Sequence, residues 1–298
     1  MRIHLVDGTF ELFRGYYGAR SRIGPTGQEV GGTRSLIRSM LTLLNNDGAT
    51  HIGIAFDTVI ESFRNQLFDG YKTGEGIEAE LHSQFELVER ATRALGLVTW
   101  SMIEFEADDA LATFAARAAA DNSVKQVIIC SPDKDLCQVI AGDRVISWDR
   151  IRDIKRDEPA VIAKFGVTPS AIPDYLALVG DSADGIPGIA GWGAKSSATL
   201  LAEYHKIENI PDDPKAWTIK VRGAARLGAV LAANREAAML YKQLATLRLD
   251  VPLTESIDDL AWRGADRSAF AAICEELADP SMLDRVPRFQ PTSLPSIP

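Results

Sequence analysis

Cysteine, histidine and long apolar runs are all scarce in this 298-residue sequence, and each scarcity removes a class of protein. The three cysteines, Cys130, Cys137 and Cys274, have neither paired spacing nor the spacing of zinc ligands, which excludes a disulfide framework and a thiolate metal site. Four histidines form no set that could compete for a metal. No apolar segment approaches the roughly 18 residues of a membrane span, and "MRIHLVDG" enters a strand-like run at once, so neither a membrane anchor nor a signal peptide is expected. A reducing cytoplasm follows as the expected compartment. There is no internal repeat. A true P-loop is also missing: "GIAGWGAKS" comes close, but Ala194 intrudes between Gly193 and Lys195 and no apolar strand precedes the loop. "LVDGT" lacks the nucleophilic aspartate of a phosphatase signature, because Leu5 stands two residues before Asp7.

What is present is ordinary in bulk. A composition 46% hydrophobic and 24% charged is that of a globular protein, with room for one large domain or two. The net charge of −9 argues against a nucleic-acid partner, since phosphates are bound mainly through Lys and Arg. The distribution of charge weakens that objection, because residues 186–250 carry nine Lys/Arg against six Asp/Glu while residues 251–298 carry four against eight.

Short apolar runs alternate with helical patterns over the first half, which predicts an α/β fold with a mainly parallel sheet. "RIHLVD" ends at Asp7, "HIGIAFD" ends at Asp57, and "KQVIICSPDKD" delivers Asp133 and Asp135 just past its end. Sites in open α/β sheets form outside the carboxyl ends of the strands, so these acidic ends are expected to converge. "TRSLIRSMLTLL", "SQFELVERATRAL" and "EADDALATFAARAA" carry helical periodicity. Residues 59–79, with three glycines and scattered charge, read as an exposed, mobile excursion. Beyond about residue 164 the chain reads as helices, with one more helix in "LAWRGADRSAFAAICEEL" and a Pro/Ser-rich tail, "PRFQPTSLPSIP", expected to be disordered.

Charge is crowded onto the mouth of one helix in "EFEADDALATFAARAAA". Capping explains one acidic residue there. Glu106, Asp108 and Asp109 fall within a single turn, however, and like charges about 4 Å apart repel by roughly 4 kcal/mol at a protein-like effective dielectric. A cation is expected to offset them. Asp133 and Asp135 in "SPDKDLCQV" could equally belong to a solvated loop. Asp181 and Asp184 in "GDSADG" have helical i, i+3 spacing, and a turn or cap is the alternative. Gly188, Gly191 and Gly193 suit either a plain αα-turn or a hairpin whose backbone approaches a phosphate, with Lys195 assisting. Taken together, Asp7, Asp57, Glu106, Asp108, Asp109, Asp133, Asp135, Asp181 and Asp184 are nine carboxylates, equal in number to the whole net charge. All-oxygen ligation favours Mg²⁺ or Mn²⁺.

At this point the sequence resembles the bacterial and phage 5′ nucleases, which include flap endonucleases and the 5′-to-3′ exonuclease domain of DNA polymerase I. "LVDGTFELFRGYY", "AFDTVIESFRNQLFDGYK", "EFEADDALA", "SPDKDLCQ" and "GDSADGIPGIAGWGAKSSATLL" carry the likeness, in order, from about residue 2 to residue 250. The resemblance implies a PIN-like nuclease domain over residues 1–166, containing a mobile arch at about 59–82. It further implies a helix-three-turn-helix that grips duplex DNA over 167–250, often with a bound K⁺, and leaves 251–298 as a helical extension and tail. It implies that the nine carboxylates hold two Mg²⁺ ions, for which Mn²⁺ can substitute, and that Asp7 and Asp133 act in the chemistry. By the same resemblance Lys72 contacts the scissile phosphate, Arg64 on the same arch acts with it in catalysis and in binding DNA, and Gly188, Gly191, Gly193, Lys195 and Ser196 meet the duplex.

Two departures stand out. Glu75 and Glu78 follow Lys72 where the family usually places another basic residue, and Gly185 replaces an asparagine in "GDSADG". The expected function is metal-dependent 5′-3′ exonuclease and flap endonuclease action on DNA with 5′ ends, flaps or gaps, by a monomeric, stand-alone, nucleoid-associated cytoplasmic chain. The competing readings are a non-catalytic binder of branched DNA and an RNA-cleaving PIN-type ribonuclease.

Overall fold

Runs of buried valine and isoleucine build the sheet. In the computed structural model, which describes residues 1–291, β1 (Arg2–Asp7), β2 (His51–Asp57), β3 (Val98–Met102), β4 (Gln126–Cys130) and β5 (Val145–Asp149) are parallel. They lie in the order β3-β2-β1-β4-β5, and β6 (Ile154–Arg156) closes one edge antiparallel to β5. β1 and β2 are covered on both faces, which is why they read as continuous apolar runs rather than alternating ones. From β1 the chain steps outward to β2 and β3, then returns to the other side of β1 for β4. The strand order therefore reverses between β1 and β4, where a crevice opens at their carboxyl ends.

Helices pack on both faces. α2 (Gly31–Asn45) and α4 (Gln84–Ala94) share a core with Val6, Ile54, Ile128 and Ile146, and α1 (Gly8–Gly18) packs on α2 at the same side. α3 (Ala79–His82) is one turn leading into α4. The opposite face is covered by α5 (Ala107–Ala119), whose Ala107, Ala110, Ala112, Ala115 and Ala118 are all buried against Ile3, Leu5, Val127 and Ile129. Its small side chains let the helix lie close to the strands.

α6 (Glu158–Phe165) leads into a helical region made of α7 (Ile172–Val179), α8 (Ala194–Tyr204), α9 (Ala224–Ala233) and α10 (Arg235–Ala245). Leu176, Ile189, Trp192, Leu200, Leu231 and Leu244 form its core, joined by Tyr71, Cys137 and Ile140 from the sheet-bearing half. α11 (Arg267–Glu276) then returns to the first half, where Phe270, Ile273 and Met282 complete the core of α2 and α4. Arg34 and Arg38 both bind Asp279, at 3.0 and 2.5 Å.

Two expectations need correction. The base of the excursion at residues 59–79 is embedded, with Ser62, Arg64 and Tyr71 buried and a 3₁₀ turn at Phe63–Gln66. Local periodicity could not show this, because the partners that bury Arg64 lie more than forty residues away. The start of the tail is also placed: Phe289 bridges to Ala265 and the Gln290 N–H donates to the Ala265 carbonyl, while residues 292–298 lie outside the described residues. Among the described residues no helix is long and apolar enough to cross a membrane.

Candidate metal centre and nucleic-acid interface

Parallel register puts the strand-end carboxylates on one edge. Asp7 closes β1 and Asp57 closes β2, and the loop after β4 brings in Asp133 and Asp135. Asp7 caps α1, accepting from the Phe10 N–H at 2.8 Å, while its other oxygen accepts from the Ser131 hydroxyl at 2.8 Å. Asp57 accepts from the Ala107 N–H at 2.8 Å, which ties β2 to the first turn of α5. A cleft of about 270 Å³ is lined by Asp7, Asp57, Glu106, Asp108, Asp133, Asp184 and Lys72, with Thr9, Phe10 and Phe13 on its α1 side.

Asp184 links this cleft to a second group. Single oxygens of Asp135, Asp181 and Asp184 lie within 4.8 Å of one another. Asp135 Oδ1 is buried without a hydrogen-bond partner. Asp181 and Asp184 come from a turn rather than a helix, closed by paired N–H donations between Asp181 and Ile186. The glycine at 185 has a physical reason: its φ is +75°, and a side chain there would run into the Gly70 carbonyl. Glycine thus tightens the contact between this turn and the segment carrying Lys72, whose N–H donates to the Asp184 carbonyl at 3.0 Å.

The crowding shifts proton affinities upward. Burial pushes the Asp7 carboxyl up to about 7 against the hydrogen bonds from Phe10 and Ser131, with Asp57 and Asp133 adding to the rise. Burial and neighbouring carboxylates also raise Asp108 and Asp135 well above the usual range. Glu106 goes the other way: burial opposes ionisation, but Lys72 and Arg64 hold its carboxyl below the ordinary value. Lys72 Nζ lies 2.7 Å from Glu106 Oε2 and 3.0 Å from Asp184 Oδ1.

The donor set fits hard divalent cations. It is all oxygen, part of it is ionised only at the cost of mutual repulsion, and one buried carboxylate oxygen has no protein partner. Asp7, Asp57, Glu106, Asp108 and Asp133 face one part of the site, and Asp135, Asp181 and Asp184 the other.

Asp109 and Arg64 do not belong to that set. Asp109 is fully buried and accepts from Arg64 Nη1 and Nη2, both at 2.7 Å, from the Arg248 N–H at 2.9 Å and from the Glu106 N–H at 3.0 Å. Its lone pairs are taken, so it is a structural counter-charge rather than a metal ligand. Arg64 is 1% exposed, also donates to Glu106 and to the carbonyls of Leu244 and Thr246, and cannot reach a DNA strand in this structure. The expectation that it acts on the substrate is corrected accordingly.

Several contributors were not singled out from sequence. Ser131 orients Asp7, Tyr71 donates to Glu106 at 3.3 Å, and Lys134 Nζ holds Asp181 at 2.5 Å. Lys134 stood in view between Asp133 and Asp135; nothing local marked the other two.

The glycine-rich connection expected between two helices is also formed. Residues 180–193 join α7 to α8, and Gly188 sits at φ +71° against the Gly180 backbone. Gly191 has φ +81° and is exposed, Gly193 precedes the first turn of α8, and Lys195 projects from that turn into solvent. Ser196 caps back onto the Gly193 N–H at 3.2 Å.

An acidic, histidine-free cleft thus lies at the switch point of an α/β sheet, beside a glycine-rich connection between helices, with a donor set suited to hard divalent cations. Residues 2–166 match the family model of the 5′-3′ exonuclease N-terminal resolvase-like domain, residues 167–268 match that of the 5′-3′ exonuclease C-terminal SAM fold, and the chain belongs to this 5′-3′ exonuclease family. It is 32% identical over 291 residues to DNA polymerase I of Mycobacterium leprae, covering 95% of this chain and 31% of that protein. The chain thus spans about a third of the length of the curated relatives it matches. Among solved structures, phage T5 5′-exonuclease with bound zinc superposes with a TM-score of 0.65 at 16% identity, covering 96% of each chain. The T5 flap endonuclease in complex with DNA and metal ions gives 0.63 at 18% identity, covering 96% of this chain and 98% of that one. These likenesses establish a shared fold.

Proposed function

We propose that this chain hydrolyses DNA phosphodiester bonds as a Mg²⁺-dependent 5′-3′ exonuclease and flap endonuclease, with Mn²⁺ able to substitute. The observation that carries this reading is the convergence of eight carboxylates, from five separate stretches of chain, on one sheet edge beside Lys72. Two bound cations would supply an activated water and stabilise the leaving oxygen of an in-line displacement. The chain's own groups set the stage. Asp7, oriented by Ser131 and the α1 N-terminus, and Asp133 present oxygens from opposite sides of the switch point. Lys72 neutralises charge that develops on the phosphoryl oxygens. Phe10 and Phe13 line the α1 side of the cleft.

In this reading residues 1–166 are the catalytic unit and 167–250 grip duplex DNA through backbone N–H groups near Gly188, Gly191 and Gly193, with Lys195 and Ser196 beside a phosphate and a K⁺ ion in the hairpin. Residues 251–291 brace α2 and α4. One chain carries every group named, so a monomer suffices, working in the cytoplasm alongside the nucleoid. A 5′-labelled flap duplex incubated with Mg²⁺, and with EDTA in its place, tests the proposal. Short labelled products are expected only with the metal; cleavage that survives EDTA would sink it.

A further inference from the structure

Lys72 is placed where a cation belongs. Its ammonium bridges Glu106, at the mouth of α5, and Asp184, on the turn after α7, at 2.7 and 3.0 Å. Those two oxygens come from the two halves of the carboxylate set, so the lysine stands at the junction between them. The position is held by backbone as well: the Lys72 N–H donates to the Asp184 carbonyl, and Asn65 Nδ2 donates to the Lys72 carbonyl at 2.9 Å. Tyr71 donates to the same Glu106 oxygen. The side chain keeps an exposure of 28%, whereas Arg64 on the same glutamate has 1%. It therefore has a way out.

A lysine ammonium is a compact point charge on a flexible stem. Mg²⁺ approaches carboxylate oxygens to about 2.0–2.1 Å and Ca²⁺ to about 2.3–2.6 Å, and a unit charge about 4 Å from another repels it by roughly 4 kcal/mol at an effective dielectric of 20. A doubly charged ion bound through Glu106 and Asp184 and the ammonium of Lys72 on those same oxygens thus oppose each other.

We propose that Lys72 competes with a divalent cation for Glu106 and Asp184, so that metal binding expels its ammonium toward the substrate phosphate. The inference rests on the metal reading above and adds an order of events: the phosphate-binding lysine is released only on metal-loaded protein. Coupling of this kind is reciprocal, so the lysine must weaken the metal as much as the metal weakens the lysine's hold.

The test uses the full chain and Ca²⁺ without DNA, read by calorimetry. Lys72→Met keeps most of the stem and removes the charge, and is expected to bind Ca²⁺ at least tenfold more tightly; Lys72→Arg keeps the charge and should stay within about threefold of wild type. Equal or weaker binding by Lys72→Met overturns the competition while leaving the metal reading intact. Heat from none of the proteins overturns both. Amine acetylation followed by mass spectrometry gives a readout on unmutated protein, with exposed Lys206 as reference. Saturating Ca²⁺ should raise the labelling rate of Lys72 several-fold relative to Lys206; an unchanged ratio overturns the proposal.

Discussion

The two sides of the first turn of α5 carry the same kind of residue in opposite conditions. On the inner side Asp109 and one oxygen of Glu106, Oε1, are met by the Arg64 guanidinium, backbone N–H groups and the Ser62 hydroxyl, while Glu106 Oε2 faces the cleft beside Lys72. On the cleft side Asp108 faces Asp133, Asp7 and Asp57, and its carboxyl is pushed upward by burial and by those neighbours. One acidic motif is thus divided into a structural half, closed by a cation from the protein, and a chemical half that calls for cations from outside. Proximity in sequence did not decide the roles. The direction of each side chain around the helix did, since positions 108 and 109 are about 100° apart on its circumference.

Asp133→Asn attacks the cleft side and is expected to have the largest effect on activity, lowering single-turnover cleavage by at least the roughly 10–100-fold that losing an outer-shell partner of a metal costs. Asn is nearly isosteric but offers a metal only a neutral oxygen, and losing one charge from the crowd relieves repulsion. Melting without metal should therefore be unchanged or slightly raised, while the gain in Tm on adding Mg²⁺ shrinks. A mutant that melts normally and still cuts would remove Asp133 from the site. Arg64→Ala attacks the inner side and should do the reverse: it strands Asp109 without its partner, at a cost of about 3–5 kcal/mol. Urea unfolding measures that loss. A change below about 1 kcal/mol would show the inner side to be no more than a surface pair.

This division explains what could be read from sequence. The strand-end positions of Asp7, Asp57 and Asp133 followed from apolar runs that stop at a carboxylate, and a parallel sheet left no other place for them to meet. α5 and the glycine hairpin were legible for similar local reasons. Arg64 and Asp109 were misread because a motif records which residues are adjacent, not which way they face. The contact that settles both, between the segment at 64 and the helix mouth at 106–109, spans more than forty residues and leaves no periodic trace. Asp181 and Asp184 were left open between a helix face and a turn, and the structure takes the turn, since i, i+3 spacing suits a tight turn as well as a helix.

pH separates the two sides more gently. The Asp7 carboxyl is raised to about 7 in the folded chain from 3.8, by burial first and then by Asp57 and Asp133, so between about pH 4 and 7 the folded state holds protons that the unfolded state has lost. Stability then falls as pH rises through that window and levels off above it. Asp108 and Asp135, raised in the same direction, add to the fall. Glu106 lies on the other branch: its carboxyl is lowered, and its contribution is lost only as pH drops through the acid range. The metal-free protein should therefore melt lower at pH 8 than at pH 5.5, and the stabilisation by saturating Mg²⁺ should grow over the same interval because its ligands must be deprotonated. A metal-free Tm that is flat from pH 5.5 to 8 would contradict the crowding on the cleft side.

The smallest effect is expected where neither side of α5 is touched. Lys195 projects into solvent from the first turn of α8, next to a hairpin in which Gly191 and Gly193 are exposed. If that hairpin holds one duplex phosphate, Lys195→Ala removes a cation without disturbing any carboxylate of the cleft. Binding should weaken at low salt, and the slope of log K against log salt should fall by about one, because fewer counterions are released on association. Single-turnover cleavage at saturating protein should stay close to wild type, since the metals and Lys72 are unaltered. The two measurements pull apart remote positioning from chemistry. An isotherm identical to wild type at several salt concentrations would place the duplex elsewhere on the protein. A fall in the saturated cleavage rate as large as that of Asp133→Asn would mean that the hairpin and the cleft act as one site, and the chemical half of the molecule would then reach from α5 to α8.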